Sequence, residues 1–171
     1  MIPVTDRPTA QARVERFLRD RPQSVLYDPT ASVLLDVSSG KALPLDWSIL
    51  TGIADGVDAD TKRPYLALAR EDGRMLALAD QGIVFAPSTV STGPVEGLPS
   101  AVCFRDLDNA EGRLLHFLRD HPEDEPTRTH LSLFTFCLAV VDGARDVGFD
   151  VGREERRLEG MLGELEARKR G

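Results

Sequence analysis

Apolar positions repeat along this chain with two different periods, and the change of period splits it into two halves. Near the start, Ala10, Val14, Phe17 and Leu18 fall at i, i+4, i+7 and i+8, with Arg13, Glu15, Arg16 and Arg19 on the opposite side. That spacing predicts an amphipathic helix, capped at its start by Asp6 or Thr9 and stopped by Pro22. Short extended segments follow at 24–27, 32–37 and 41–45, separated by the turn formers Asp28-Pro29-Thr30 and Ser38-Ser39-Gly40. They read as adjacent antiparallel strands. Asp46 can cap a short helix through Trp47, Ile49 and Leu50, and the Gly- and Asp-rich stretch 52–60 reads as a loop. The clearest hairpin pairs 65–70 with 75–79 around Asp72-Gly73, where a tight turn needs a positive φ. Leu66 and Leu68 are predicted to face the core, and 83–86 adds a further strand.

In residues 87–100, Pro, Ser, Thr and Gly supply ten of fourteen positions, the composition of a surface loop or connector. Beyond it the helical period returns. After an expected strand at 101–104, Asp108 and Glu111 form a D-x-x-E capping pattern, and Ala110, Leu114, Phe117 and Leu118 repeat the i, i+4, i+7, i+8 stripe. This helix echoes the first at an offset of 100 residues: Arg13, Phe17, Leu18, Arg19, Asp20 and Pro22 recur as Arg113, Phe117, Leu118, Arg119, Asp120 and Pro122. So short a match defines no repeat architecture. Residues 131–147 read as a buried helix ending on Gly148, with a hairpin turning at Asp142-Gly143 as the alternative. The last helix, from about 152 to 169, carries Val151, Leu158, Met161, Leu162 and Leu165 as one apolar stripe, weakened by Gly160 and Gly163.

These elements make an α+β protein. An antiparallel sheet in the N-terminal half is packed by amphipathic helices, and the C-terminal third is helix-rich. The 171 residues are read as one domain, with a sheet-rich part at 1–86, the loop 87–100 and a helix-rich part at 101–171. Hydrophobic residues at 42% and charged residues at 29% suit a folded core. A net charge of −7 runs against nucleic-acid binding, which needs a basic face to displace counterions. Residues 1–8 lack the apolar run of a signal peptide, and the longest apolar stretch, 131–141, is interrupted by Ser132 and Thr135. A cytoplasmic protein that does not enter membranes is therefore expected. Eighteen Arg against three Lys suit a GC-rich, bacterial coding sequence. Cys103 and Cys137, both among apolar neighbours, read as buried free thiols.

Candidate chemistry is sparse. His116, His121 and His130 bracket the acidic run Glu123-Asp124-Glu125, but no H-x-x-x-H or H-E-x-x-H spacing puts two imidazoles on one helical face. Asp55, Asp58 and Asp60 share a glycine-containing stretch without the order or terminal Glu of a calcium loop. No G-x-S-x-G, P-loop or G-x-G-x-x-G occurs. No catalytic, cofactor-binding or metal-ligating residue is predicted. The expectation is a non-enzymatic interaction or regulatory protein, such as an adaptor, a chaperone-like or a toxin-neutralising protein. It would bind another protein or its own copy as a homodimer through its acidic surface and the helix carrying Val151, Leu158, Met161, Leu162 and Leu165. The alternative is a small enzyme or ligand-binding domain with its site near the 87–100 loop and His116, His121 and His130.

Overall fold

The alternation of Leu with Ala between residues 65 and 79 turns one side of a sheet into core and the other into surface, and the architecture is built on that division. The computed structural model describes residues 1–20, 24–88 and 98–170, and the structural statements below concern these. The chain runs through β1 (Ile2–Pro3), α1 (Arg7–Arg19), β2 (Val25–Asp28), β3 (Val33–Asp36), β4 (Lys41–Pro44), a 3-10 turn (Trp47–Ile49), β5 (Leu50–Val57), β6 (Pro64–Arg70), β7 (Met75–Ala79) and β8 (Gly82–Phe85). It then continues through α2 (Phe104–Asp120), α3 (Arg128–Val147) and α4 (Gly152–Arg170). The main sheet is antiparallel in the order β1-β5-β6-β7-β8, and β2-β3-β4 form a smaller antiparallel sheet.

Register decides which side chains are buried. Across the main sheet, Ile53 stands opposite Leu68, Leu68 opposite Leu76 and Leu76 opposite Phe85, while Leu66, Leu78 and Ile83 form the next row. These residues join Val14 and Phe17 of α1, Leu34 and Leu43 of the small sheet, and the inner faces of α2, α3 and α4 in one buried cluster. The β6–β7 hairpin turns through Gly73 at φ +82, as its Asp-Gly pair predicts. Asp6 caps α1, accepting the Thr9 N–H at 2.8 Å. The predicted Pro22 stop and most of the predicted 87–100 loop lie outside the described residues.

The outer edge of β8 is occupied. The Ile83 N–H donates to Asp36 Oδ2 at 3.1 Å, and Phe85 exchanges two backbone hydrogen bonds with Val102 at 2.9 and 2.8 Å. Asp36 is fully buried and also accepts from the Ser38 hydroxyl at 2.8 Å, so one carboxylate joins the small sheet to the large one. Gly82 makes room for it: φ there is +112, and a Cβ would stand 2.7 Å from Asp36 Oδ2.

Three expectations are corrected. Of residues 52–60 only 58–60 form a loop, because β5 runs to Val57 and pairs along β6 from Leu50 to Val57. Its glycines leave space: the Met1 side chain lies against Gly52 and the Tyr65 ring lies across Gly56. Residues 101–104 are not a strand beyond the single bridge at Val102, because Phe104 already opens α2. The cap of α2 is therefore Cys103 with Asp106, whose Oδ2 accepts the Cys103 N–H at 2.9 Å, and not Asp108 with Glu111; Glu111 is buried one turn further on. Residues 131–147 lie within helix α3, which ends on the left-handed Gly148 with Phe149 packed beyond it, the stop expected from sequence.

Candidate functional site

Side chains alternate along a strand, so the ladders that aim leucines inward also dictate what faces outward. One outward row reads Gly56, Tyr65, Ala79 and Gly82; the next reads Ala54, Ala67, Ala77 and Val84; the third reads Gly52, Ala69 and Met75. None of these positions is charged, and the Tyr65 hydroxyl is the one polar side-chain group among them. An antiparallel sheet with a solvated face normally alternates apolar inward with polar outward. Here Met75 is 46% exposed, and Ala54, Ala69, Ala77, Ala79 and Val84 are half-exposed.

Part of this face is concave. A trough of about 470 Å³ is floored by Ala67, Ala77, Ala79 and Val84, with Ala101, Val102 and Cys103 among the residues that wall it. Its charged lining groups are Asp58, Arg63 and Asp106. N–H bonds from Thr61 and Asp60 hold the Asp58 carboxyl below the usual carboxylate range. Arg63 faces Asp80 at 3.5 Å and Lys62 acts on Asp58, so the lining carries two carboxylates against one guanidinium. Burial pushes the Cys103 thiol up, away from the thiolate that reactive cysteines need.

No family model matches the chain, and no curated protein or solved structure does either.

The three histidines meet at a second concavity. A groove of about 750 Å³ lies along the C-terminal half of α2 and the corner leading to α3, and His116, His121 and His130 all line it. Each imidazole has a local partner. His116 Nε2 stands 3.1 Å from Asp120 Oδ2, and its Nδ1 stands 3.1 Å from Arg119 Nη2. The Asp120 carboxyl is held low chiefly by its hydrogen bond from Arg119. His121 Nδ1 lies 3.1 Å from Asp124 Oδ2. His130 sits at the third position of α3, where its Nδ1 accepts the Thr127 N–H at 3.0 Å in a capping box. Its ring stacks on Phe117 with centroids 3.8 Å apart. Arg168 approaches the same Phe117 ring at 5.2 Å and donates to the terminal carbonyls of α2, Leu118 at 2.8 Å and His121 at 2.7 Å. Among the described residues no group of three or more His, Cys, Asp or Glu is placed to hold a metal ion.

The stripe predicted to bind a partner is mostly spent within the chain. Val151, Leu158, Met161 and Leu165 are all in the buried core, and Leu162, at 39% exposed, is the member left outside. They are brought together on one helix face, but that face packs on this chain. Charges between the helices are paired as well: Arg157 Nε meets Glu111 Oε2 at 3.2 Å, and Glu154 Oε1 meets Lys41 Nζ of β4 at 2.6 Å. Burial pushes the Glu111 carboxyl up, opposed by Arg157, and pushes the neighbouring Cys137 thiol up to about 12. This network ties α2, α4 and the small sheet together.

Proposed function

We propose that this protein is a non-enzymatic interaction protein that docks a partner on the outward face of the β5-β6-β7-β8 sheet. The observation that carries this reading is the lack of any charged side chain at the outward positions of four adjacent strands, next to an apolar trough. Of these outward positions Met75 is exposed, Gly52, Ala67 and Gly82 are buried and the rest are half-buried; apolar surface beside a concavity supports an interaction site. The surface replaces the α4 stripe as the site, because Val151, Leu158, Met161 and Leu165 of that stripe are already buried against their own core. The trough is lined mainly by small apolar side chains, with Thr61, Gln81, Ser100 and the Tyr65 hydroxyl also on its lining.

The test is affinity capture from the native host with the wild-type chain and the Ala77→Arg variant in parallel. The reading expects a stoichiometric partner that the variant loses, while the circular dichroism spectrum and Tm stay close to wild type. Capture of the same partner by both proteins at equal yield ends it.

A second reading is supported by the convergence of His116, His121 and His130 on one groove. It makes that groove the seat of a small ligand. Titration of the protein with small-ligand pools, followed through the imidazole NMR signals, tests it. Perturbation of all three rings by one compound supports this reading, and silence of all three across the pools removes it.

A further inference from the structure

We infer that the occupant of the trough is an amphipathic helix of another protein, carrying an apolar stripe and flanked by lysine or arginine. The inference rests on the docking reading above. Its basis is the size of the trough, the small residues of its floor and the sign of its rim.

Outward rows are two residues apart along a strand, about 6.8 Å per step, so three rows span about 14 Å. Anchors at i, i+3 or i+4, and i+7 of a helix span about 10.5 Å, which fits within that length. A helical segment that long displaces roughly 1,000 Å³ with its side chains. The trough holds about 470 Å³, so it takes the anchors of one face and leaves the rest of the helix above the rim. Ala67, Ala77 and Ala79 lie flat on the floor and let those anchors approach the sheet closely.

The rim then selects what flanks the anchors. Asp58 and Asp106 are both pinned by backbone N–H donors, and Arg63 is taken up by Asp80. With Lys62 beside Asp58, the three carboxylates Asp58, Asp80 and Asp106 stand against two cations, a slight negative excess on a chain whose net charge is −7. Positive flanks complement it and acidic flanks are rejected by it. The same argument disfavours a second copy of this chain. A second copy brings a surface of the same negative net charge toward the rim. That charge equally disfavours anionic membranes and nucleic acid.

The probes are three fluorescent 20-residue helical peptides: one with a leucine stripe and lysine flanks, one with the same stripe and glutamate flanks, and one with lysines but a scrambled stripe. Anisotropy is measured against the full chain and against Ala77→Arg, Met75→Glu and Asp58→Asn, with Tm recorded for each. The inference expects the lysine-flanked peptide to bind at least tenfold more tightly than either control. It also expects weakening of at least tenfold by Ala77→Arg or Met75→Glu, and a smaller loss together with a shallower salt dependence for Asp58→Asn. Met75 is already exposed, so Met75→Glu stays informative if Ala77→Arg fails to fold. Equal binding of the lysine and glutamate peptides overturns the charge rule, and equal binding of the scrambled peptide overturns the stripe. If no peptide binds but Ala77→Arg still abolishes capture of the host partner, the helical occupant is wrong and the docking face stands. If that capture survives the substitution, both fall.

Discussion

The two faces of the main sheet are made by the same strands, yet they obey different rules. On the inner face Leu66, Leu68, Leu78 and Ile83 are essentially inaccessible and interlock with four helices and the small sheet. On the outer face their immediate neighbours Ala67, Ala77 and Ala79 are also apolar, but they are small; Ala67 is buried, whereas Ala77 and Ala79 are half-buried. A sheet that needed only solubility would carry Thr, Lys or Glu at those outer positions. The difference teaches that the two faces can carry separate tasks: one set of alternating residues holds the fold, and the proposed docking reading assigns recognition to the other.

That separation can be broken or sharpened by substitution. The largest effect is expected on the inner face: Leu78→Ala leaves a cavity under α-helices and sheet and should cost about 2–5 kcal/mol, read as a lower urea midpoint at an unchanged slope. Next comes the joint between the sheets. Gly82→Ala forces a side chain into a left-handed backbone and against the Asp36 carboxylate, a cost of about 1–3 kcal/mol visible as a lower Tm. Ala77→Arg on the outer face should move stability by less than about 1 kcal/mol while removing the partner, the signature of a surface kept for binding. The smallest effect belongs to Val84→Thr, which adds a hydroxyl to a half-exposed outward position. Stability should stay within about 0.5 kcal/mol, with a measurable loss of peptide affinity. An outer-face substitution that destabilised as much as Leu78→Ala would erase the distinction.

The helical stripes and the hairpin were legible because their periodicity reports a single buried side. Ala10, Val14 and Phe17 of α1 and Ala110, Leu114 and Phe117 of α2 are buried as their spacing predicts, even though the chain outside these two matching helices takes unrelated paths. Strand β5 was illegible because Gly52, Asp55 and Gly56 carry the composition of a loop. Their roles are set at a distance, by Met1 and Tyr65 lying on the glycines and by Arg13 reaching Asp55 at 2.6 Å. The start of α2 is hidden because its N-cap is Cys103 instead of Ser, Thr, Asp or Asn, with Asp106 in place of Glu or Gln as the third-position partner, whereas Asp108 and Glu111 imitate the usual pattern. The outer face left a signal that was available but muted. Leu-Ala-Leu-Ala alternation keeps a period of two in size and none in polarity, so a hydrophobicity pattern registers a buried strand and misses the open side. The stripe on α4 was recognised, but sequence periodicity cannot distinguish packing on one's own core from packing on another protein.

The contact between Arg168 and the end of α2 also has a consequence for the order of events during synthesis. A chain emerges from the ribosome N-terminus first, and its earlier parts begin to fold while later ones are still being added. The carbonyls of Leu118 and His121 wait for a guanidinium that lies 47 to 50 residues downstream. Until translation has passed residue 168, those two carbonyls lack this guanidinium, so the α2–α3 corner is completed only when the end of α4 docks on it.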